Sequence, residues 1–238
     1  MQRELYVGHT PAKRLSLQLQ NIDAVLFDLD GTLLDSAPDL ASAANQLRLV
    51  RGMQVLPNAH YRPFVGTGAR GMLRIALDVQ PDAPQFEQLK EEFFVAYEQC
   101  MGQHSQLFEG VPHLLQVLQG HAKKWGIVTN KSERFTLPIV RSLGVLATAQ
   151  SVVCGDTTAH AKPHPAPLLE AAKRLEVLPE RCIYVGDDER DMVAARAAGM
   201  QAVAAAYGYL GGVDSVHAWG PDAVIKSPVE LLRLLQID

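Results

Sequence analysis

The feature that most constrains this chain is an alternation. Short apolar runs rich in valine and isoleucine, bounded by Gly, Pro, Asn and Asp, recur between stretches with helical spacing. That pattern specifies parallel strands joined by helical crossovers, because each strand must bury both faces and each helix one stripe. The predicted strands are 23–28 (DAVLFD), 124–129 (KWGIVT), 151–154 (SVVC), 182–186 (CIYVG), 201–206 (QAVAAA) and 223–225 (AVI). Helical spacing is found over 111–118, 132–143, 165–175, 189–198 and 228–235.

One stretch breaks the alternation. Residues 37–107 contain no strand-like run and read as several helices, around 39–50, 68–77 and 85–101. Crossovers in such folds are short, so this much chain implies a separate helical unit inserted after the first strand. The expected fold is therefore α/β, a Rossmann-like parallel sheet flanked by helices. Its core comprises 22–36 and 108–238, a helical cap 37–107, and 1–21 is a polar N-terminal extension.

Composition removes several function classes. With 22 Lys+Arg against 26 Asp+Glu, the net charge of -4 offers no basic face for nucleic acid. Cys100, Cys154 and Cys182 lie far apart with no CxxC pair, which argues against a disulfide framework or a structural zinc site and fits a reduced, cytoplasmic setting. No apolar stretch approaches the roughly 20 residues of a membrane span, and the first twenty residues hold no signal-like run.

Chemistry-bearing residues gather where predicted strands end. The first strand runs into Asp28-Leu29-Asp30-Gly31-Thr32-Leu33. Period two turns Asp28 and Asp30 to one side, at the carboxyl edge where open parallel sheets place their ligands. Two carboxylates so close repel unless a cation or a shared proton relieves them; Asp and Gly are also ordinary turn residues. Just beyond, Ser36-Ala37-Pro38-Asp39 has the form of a capping box with Ser36 as N-cap. The next strand ends in Thr129-Asn130-Lys131, a hydroxyl and free amides suited to phosphate oxygens, or simply a helix cap. Lys162 lies in Ala161-Lys162-Pro163-His164-Pro165, where two prolines stiffen the backbone just before a helix, and can serve as a fixed charge. The fourth strand enters Gly186-Asp187-Asp188-Glu189-Arg190-Asp191. There Asp187 and Asp191, one helical turn apart, are hard oxygen ligands suited to magnesium, while Asp188 and Glu189 suit the helix dipole.

These four features, in this order, resemble the haloacid dehalogenase-like hydrolase superfamily, whose series is DxDGT(L/V), then Ser/Thr, then Lys, then GDxxxD. The resemblance covers nearly everything after Asn21, and the inserted helices match that family's cap. It implies a phosphomonoesterase acting on a small phosphorylated metabolite. Asp28 would be the nucleophile and Asp30 the general acid and base. Mg2+ would be held by Asp28, the carbonyl of Asp30 and Asp187, with Asp191 direct or one step removed. Thr129, Asn130 and Lys162 would hold the phosphoryl group. Within the superfamily the chain is similar to the phosphoglycolate phosphatase group and its N-acetylmuramic acid 6-phosphate phosphatase branch. The similarity is carried by 125–131 (WGIVTNK), His104-Ser105, 186–191 (GDDERD), 207–209 (YGY) and 219–223 (WGPDA). A phosphosugar mutase, a dehalogenase and a non-catalytic binding protein of the same fold are the alternatives.

Two further patterns are decoys. Gly66-Thr67-Gly68-Ala69-Arg70-Gly71 satisfies GxGxxG, but no strand precedes it, as a dinucleotide site requires. In related caps this region faces the active site, so Arg62, Thr67 and Arg70 are expected to contact substrate. His160 and His164 are four apart, but Pro163 spoils a helical metal pair.

Overall fold

The computed structural model describes residues 19, 21–212 and 216–237; apart from 19 and 21, the N-terminal extension lies outside them. In chain order the strands are β1 (Ala24–Phe27), β2 (Leu34–Asp35), β3 (Gln106–Leu107), β4 (Lys124–Val128), β5 (Ser151–Val153), β6 (Cys182–Gly186), β7 (Gln201–Ala205) and β8 (Ala223–Ile225). The helices are α1 (Ala37–Leu49), α2 (Asn58–Tyr61), α3 (Gly68–Leu77), α4 (Phe86–Cys100), α5 (Val111–Gly120), α6 (Glu133–Ser142), α7 (Ala166–Leu175), α8 (Glu189–Ala197) and α9 (Glu230–Leu235).

Six strands form one parallel sheet in the order β5-β4-β1-β6-β7-β8. All four residues of β1 are buried, as a strand covered on both faces demands. Val25 and Phe27 join one apolar cluster, where Phe27 meets Trp125 edge to face at 6.3 Å; Ala24 and Leu26 join the other, with Val128 and Tyr184. Because β4 and β6 flank β1, crossovers leave it in both directions, and the carboxyl end of β1 is the switch point where such sheets open a crevice.

Helices α1 to α4 and a 3-10 turn at Arg62–Thr67 make up the insertion. The chain leaves and re-enters the core through β2 and β3, which pair antiparallel with Leu34 opposite Leu107.

The capping box expected at Ser36 and Asp39 is not formed. Ser36 makes no cap bond; its hydroxyl donates to the Asp30 carboxylate. Asp39 is fully buried and accepts from the backbone of Gly102 at 2.7 Å, His104 at 2.8 Å and Ser105 at 3.2 Å, and from the Ser105 hydroxyl. Tertiary partners outcompete the local ones, because a buried carboxylate must be satisfied where it lies. The box that does form opens α8, between Asp188 and Asp191.

Candidate active site

The crevice at the end of β1 is a cavity of about 380 Å³ between sheet edge and insertion. The core contributes Asp28, Asp30, Thr129, Asn130, Lys131, Lys162, Asp187, Asp188, Arg190 and Asp191 to its wall. The insertion contributes Leu40, Phe94, Tyr97 and the run Gly66 to Ala69.

Asp28 follows β1 directly. Its Oδ1 accepts from the Leu29 amide at 2.7 Å and lies 3.1 Å from Lys162 Nζ; Oδ2 accepts no hydrogen bond among the described residues. Burial, reinforced by Asp191 and Asp30 and opposed by Lys162, pushes its pKa up to about 7.

Asp187 ends β6 in a cradle of glycines. A Cβ on Gly31, whose φ is +87°, would stand 2.1 Å from Asp187 Oδ2, and one on Gly208 would stand 2.3 Å from Asp187 Cβ. Only glycine lets both backbones close on this carboxylate. It accepts from Thr32 Oγ1 at 3.2 Å and from the Tyr209 amide at 2.7 Å. Burial first, then the charges of Asp28 and Asp191, hold its pKa well above the usual range.

Carboxylate oxygens of Asp28, Asp187 and Asp191 all lie within 4.8 Å of one another. Three hard-oxygen donors, two of them buried, gathered this closely fit a divalent cation, which relieves their repulsion. Asp191 is also spent elsewhere. It accepts from Lys162 Nζ at 2.8 Å and from the Asp188 amide at 3.1 Å.

Lys162 is 4% exposed and its ammonium has four oxygen neighbours: Val128 O at 3.0 Å, Tyr184 Oη at 2.6 Å, Asp191 and Asp28. Burial lowers its pKa, but the two carboxylates more than reverse that. Thr129 is buried at the end of β4, and its Oγ1 accepts from the Lys131 amide at 3.2 Å, which leaves its own proton to give. Asn130 differs from expectation. Its amide grips the Lys162 backbone from both sides, at 2.9 Å to nitrogen and 2.9 Å to oxygen, so its side chain positions Lys162.

Asp30 accepts from Ser36 and from Lys131, whose Nζ lies 3.1 and 3.0 Å from its two oxygens. Lys131 was not singled out in sequence. Its ammonium stands 4.7 Å from the centre of the Tyr97 ring, and burial, which works against its charge, is overcome by Asp30 so that its pKa rises. Tyr97 is 1% exposed, and its buried hydroxyl, in reach of the Lys131 ammonium, has no acceptor for its proton among the described residues; burial pushes its pKa up to about 12.

Thr67 lines the cavity; Arg62 and Arg70 do not. One nitrogen of Arg62 reaches both Asp35 oxygens, at 2.9 and 2.8 Å, and its guanidinium lies 5.1 Å from the Tyr209 ring centre. Charge and stacking hold it at the ribbon, while Arg70 is exposed. The His160 and His164 rings lie 4.5 Å apart, tilted by 39°, and His164 Nδ1 accepts from the Ala166 amide. No helix among the described residues is long and apolar enough to cross a membrane.

Comparison with known proteins agrees with this geometry. A "phosphoglycolate phosphatase" of Xanthomonas campestris pv. campestris is 47% identical over 208 residues, covering 87% of this chain and 94% of that one. An "N-acetylmuramic acid 6-phosphate phosphatase" of Pseudomonas putida is 39% identical over 212 residues, covering 89% and 95%. The crystal structure of a predicted phosphoglycolate phosphatase from Haemophilus somnus superposes with a TM-score of 0.80 at 26% identity, over 90% of this chain and 98% of that one. The family model that matches, over residues 25–205, is that of the haloacid dehalogenase-like hydrolases, and the chain belongs to that family.

Proposed function

We propose that this chain is a magnesium-dependent phosphatase that hydrolyses a small phosphorylated metabolite through a phosphoryl group carried on Asp28. The observation that carries the reading is the pairing of Asp28, whose Oδ2 is free of hydrogen bonds, with two further carboxylates gathered within 4.8 Å.

Asp28, Asp187 and Asp191 would hold the cation, which when bound supplies charge compensation for the anionic substrate. The leucine amide and Lys162 fix Asp28 Oδ1, so the carboxylate presents its other oxygen for attack on phosphorus. The Thr129 hydroxyl is placed to donate to a phosphoryl oxygen, and the Lys162 charge lies beside the bond being made. Asp30, the second carboxylate of the strand end, would give a proton to the departing oxygen and take one from the water that cleaves the phosphoaspartate. Apolar walls from Leu40, Phe94 and Phe135 would keep stray water from that step.

A dehalogenase has no use for Asp30 as a proton donor or for a carboxylate trio. A mutase would need the same residues and would differ in excluding water from the phosphoaspartate. The relatives' names make 2-phosphoglycolate and N-acetylmuramic acid 6-phosphate the leading substrates. Phosphate release should be followed across 2-phosphoglycolate, amino-sugar 6-phosphates and nucleotides, with and without magnesium. Release that persists in excess EDTA contradicts the cation, and isomerisation of a phosphosugar without release supports a mutase.

A further inference from the structure

Three cations line the cavity among the described residues, and two of them are already fully engaged. Lys162 is shared between Asp28 and Asp191, and Arg190 grips both Asp188 oxygens, at 2.7 and 2.9 Å, while also donating to the Gly66 carbonyl. Lys131 is different. Its one ionic partner is Asp30, the carboxylate that the proposed chemistry needs free to face the leaving oxygen. Beside it, the Tyr97 hydroxyl is buried with no acceptor, a costly arrangement that a site keeps when a ligand will satisfy it. An ammonium whose partner must leave and a hydroxyl that lacks one thus share one patch of cavity wall, 4.7 Å between charge and ring centre.

The ligand that answers both is a carboxylate. It has one oxygen for the ammonium and another for the hydroxyl, and it replaces the Asp30 charge on Lys131 like for like. Resting on the phosphatase reading above, we propose that Lys131 and Tyr97 form a carboxylate subsite, and that the substrates are phosphorylated carboxylic acids. The acid group takes Lys131 from Asp30, so that a substrate without one leaves Asp30 tied. The Lys131 amide donates to the Thr129 hydroxyl at 3.2 Å and both residues line the cavity, so the phosphoryl and carboxylate subsites are neighbours. Phosphoglycolate and N-acetylmuramic acid 6-phosphate, for which the relatives are named, both carry a carboxylate.

The test compares 2-phosphoglycolate with its carboxamide analogue, alike in shape but uncharged at that end. The wild type should favour the acid in kcat/KM by roughly tenfold to a hundredfold, the range of one charge-assisted hydrogen bond. Lys131→Met should bring the ratio close to one, and Lys131→Arg should restore part of it. Tyr97→Phe deletes a hydroxyl whose proton has no acceptor among the described residues, so it should leave the melting temperature close to that of the wild type while cutting the preference roughly threefold to tenfold. A binding readout independent of turnover is calorimetry on Asp30→Asn. Removal of the competing carboxylate should tighten 2-phosphoglycolate binding by about tenfold. An unchanged preference in folded Tyr97→Phe and Lys131→Met enzymes that still release phosphate overturns the subsite and leaves the phosphatase reading standing. No release by the wild type from any monoester removes the phosphatase reading, and the subsite with it.

Discussion

Replacing Asp28 by asparagine deletes one negative charge from a crowd of carboxylates and, with it, the proposed attacking oxygen. Turnover should fall by at least roughly a thousandfold, as for other lost nucleophiles, while circular dichroism and gel filtration stay those of the wild type. A folded Asp28→Asn enzyme with a tenth of wild-type activity would contradict the mechanism. The same crowding sets a pH dependence of stability. Asp28, with a pKa of about 7, and Asp187, well above its usual range, bind more protons folded than unfolded between about pH 4 and 7. Their contribution to stability is therefore greatest at acid pH and is lost as pH rises through that window. A cation in the trio opposes the loss, so magnesium should raise the melting temperature more at pH 7.5 than at pH 5.5. Thermal scans at both pH values check this, and Asp187→Asn should erase most of the difference.

Among the elements, the return from α4 to β3 hangs on one side chain. Asp39, on α1, satisfies three backbone amides and a hydroxyl across the insertion. Asp39→Ala would leave the Ser105 amide and hydroxyl buried without that partner and would release the exposed Gly102 and His104 amides to solvent. It should cost about 2 to 4 kcal/mol in urea unfolding, given roughly 1.5 to 3 for a hydrogen bond to a charged group, with kcat of the folded enzyme unchanged. That role was illegible in sequence, where Ser36 and Asp39 have the spacing of a helix cap and their true partners lie up to sixty-six residues away. The six sheet strands could be read, because each is an apolar run long enough to show itself; the expected 182–186 and 223–225 match β6 and β8 residue for residue. The ribbon strands β2 and β3 have two residues each, too few for any period to register. The 3-10 turn Arg62–Thr67 was hidden behind Pro63 and Gly66, which read as loop. The acidic residues of the site were legible because carboxylates at strand ends are costly enough to need a reason. Lys131 was not, since its spacing from Thr129 marks it no differently from a solvated lysine. Only the fold brings Tyr97 over to it.

At the scale of the whole molecule, three arginines tie the insertion to the core among the described residues. Arg62 reaches back to Asp35, Arg134 of α6 pairs with Glu91 and Glu98 of α4, and Arg190 donates to the Gly66 carbonyl. Of these only the tie from Arg190 to Gly66 lies in the cavity wall, so its parting would widen the way in for substrate. Arg190→Ala should speed amide hydrogen exchange over 62–69 by roughly tenfold and leave the central strands unchanged. Equal protection in the variant would show that the seam is held elsewhere. The placement of the insertion also bears on how the chain is made. Ala24 takes its hydrogen-bonded neighbours from Lys124 on one side and Cys182 on the other. During synthesis β1 must wait for its first partner until a hundred further residues have followed. The insertion helices, with their nearby contacts, can assemble in that interval. The strand that runs into Asp28 is thus an apolar edge without a partner over that interval. The four-residue length of β1, closed at once by Asp28 and Asp30, is what keeps that edge from recruiting a neighbouring nascent chain.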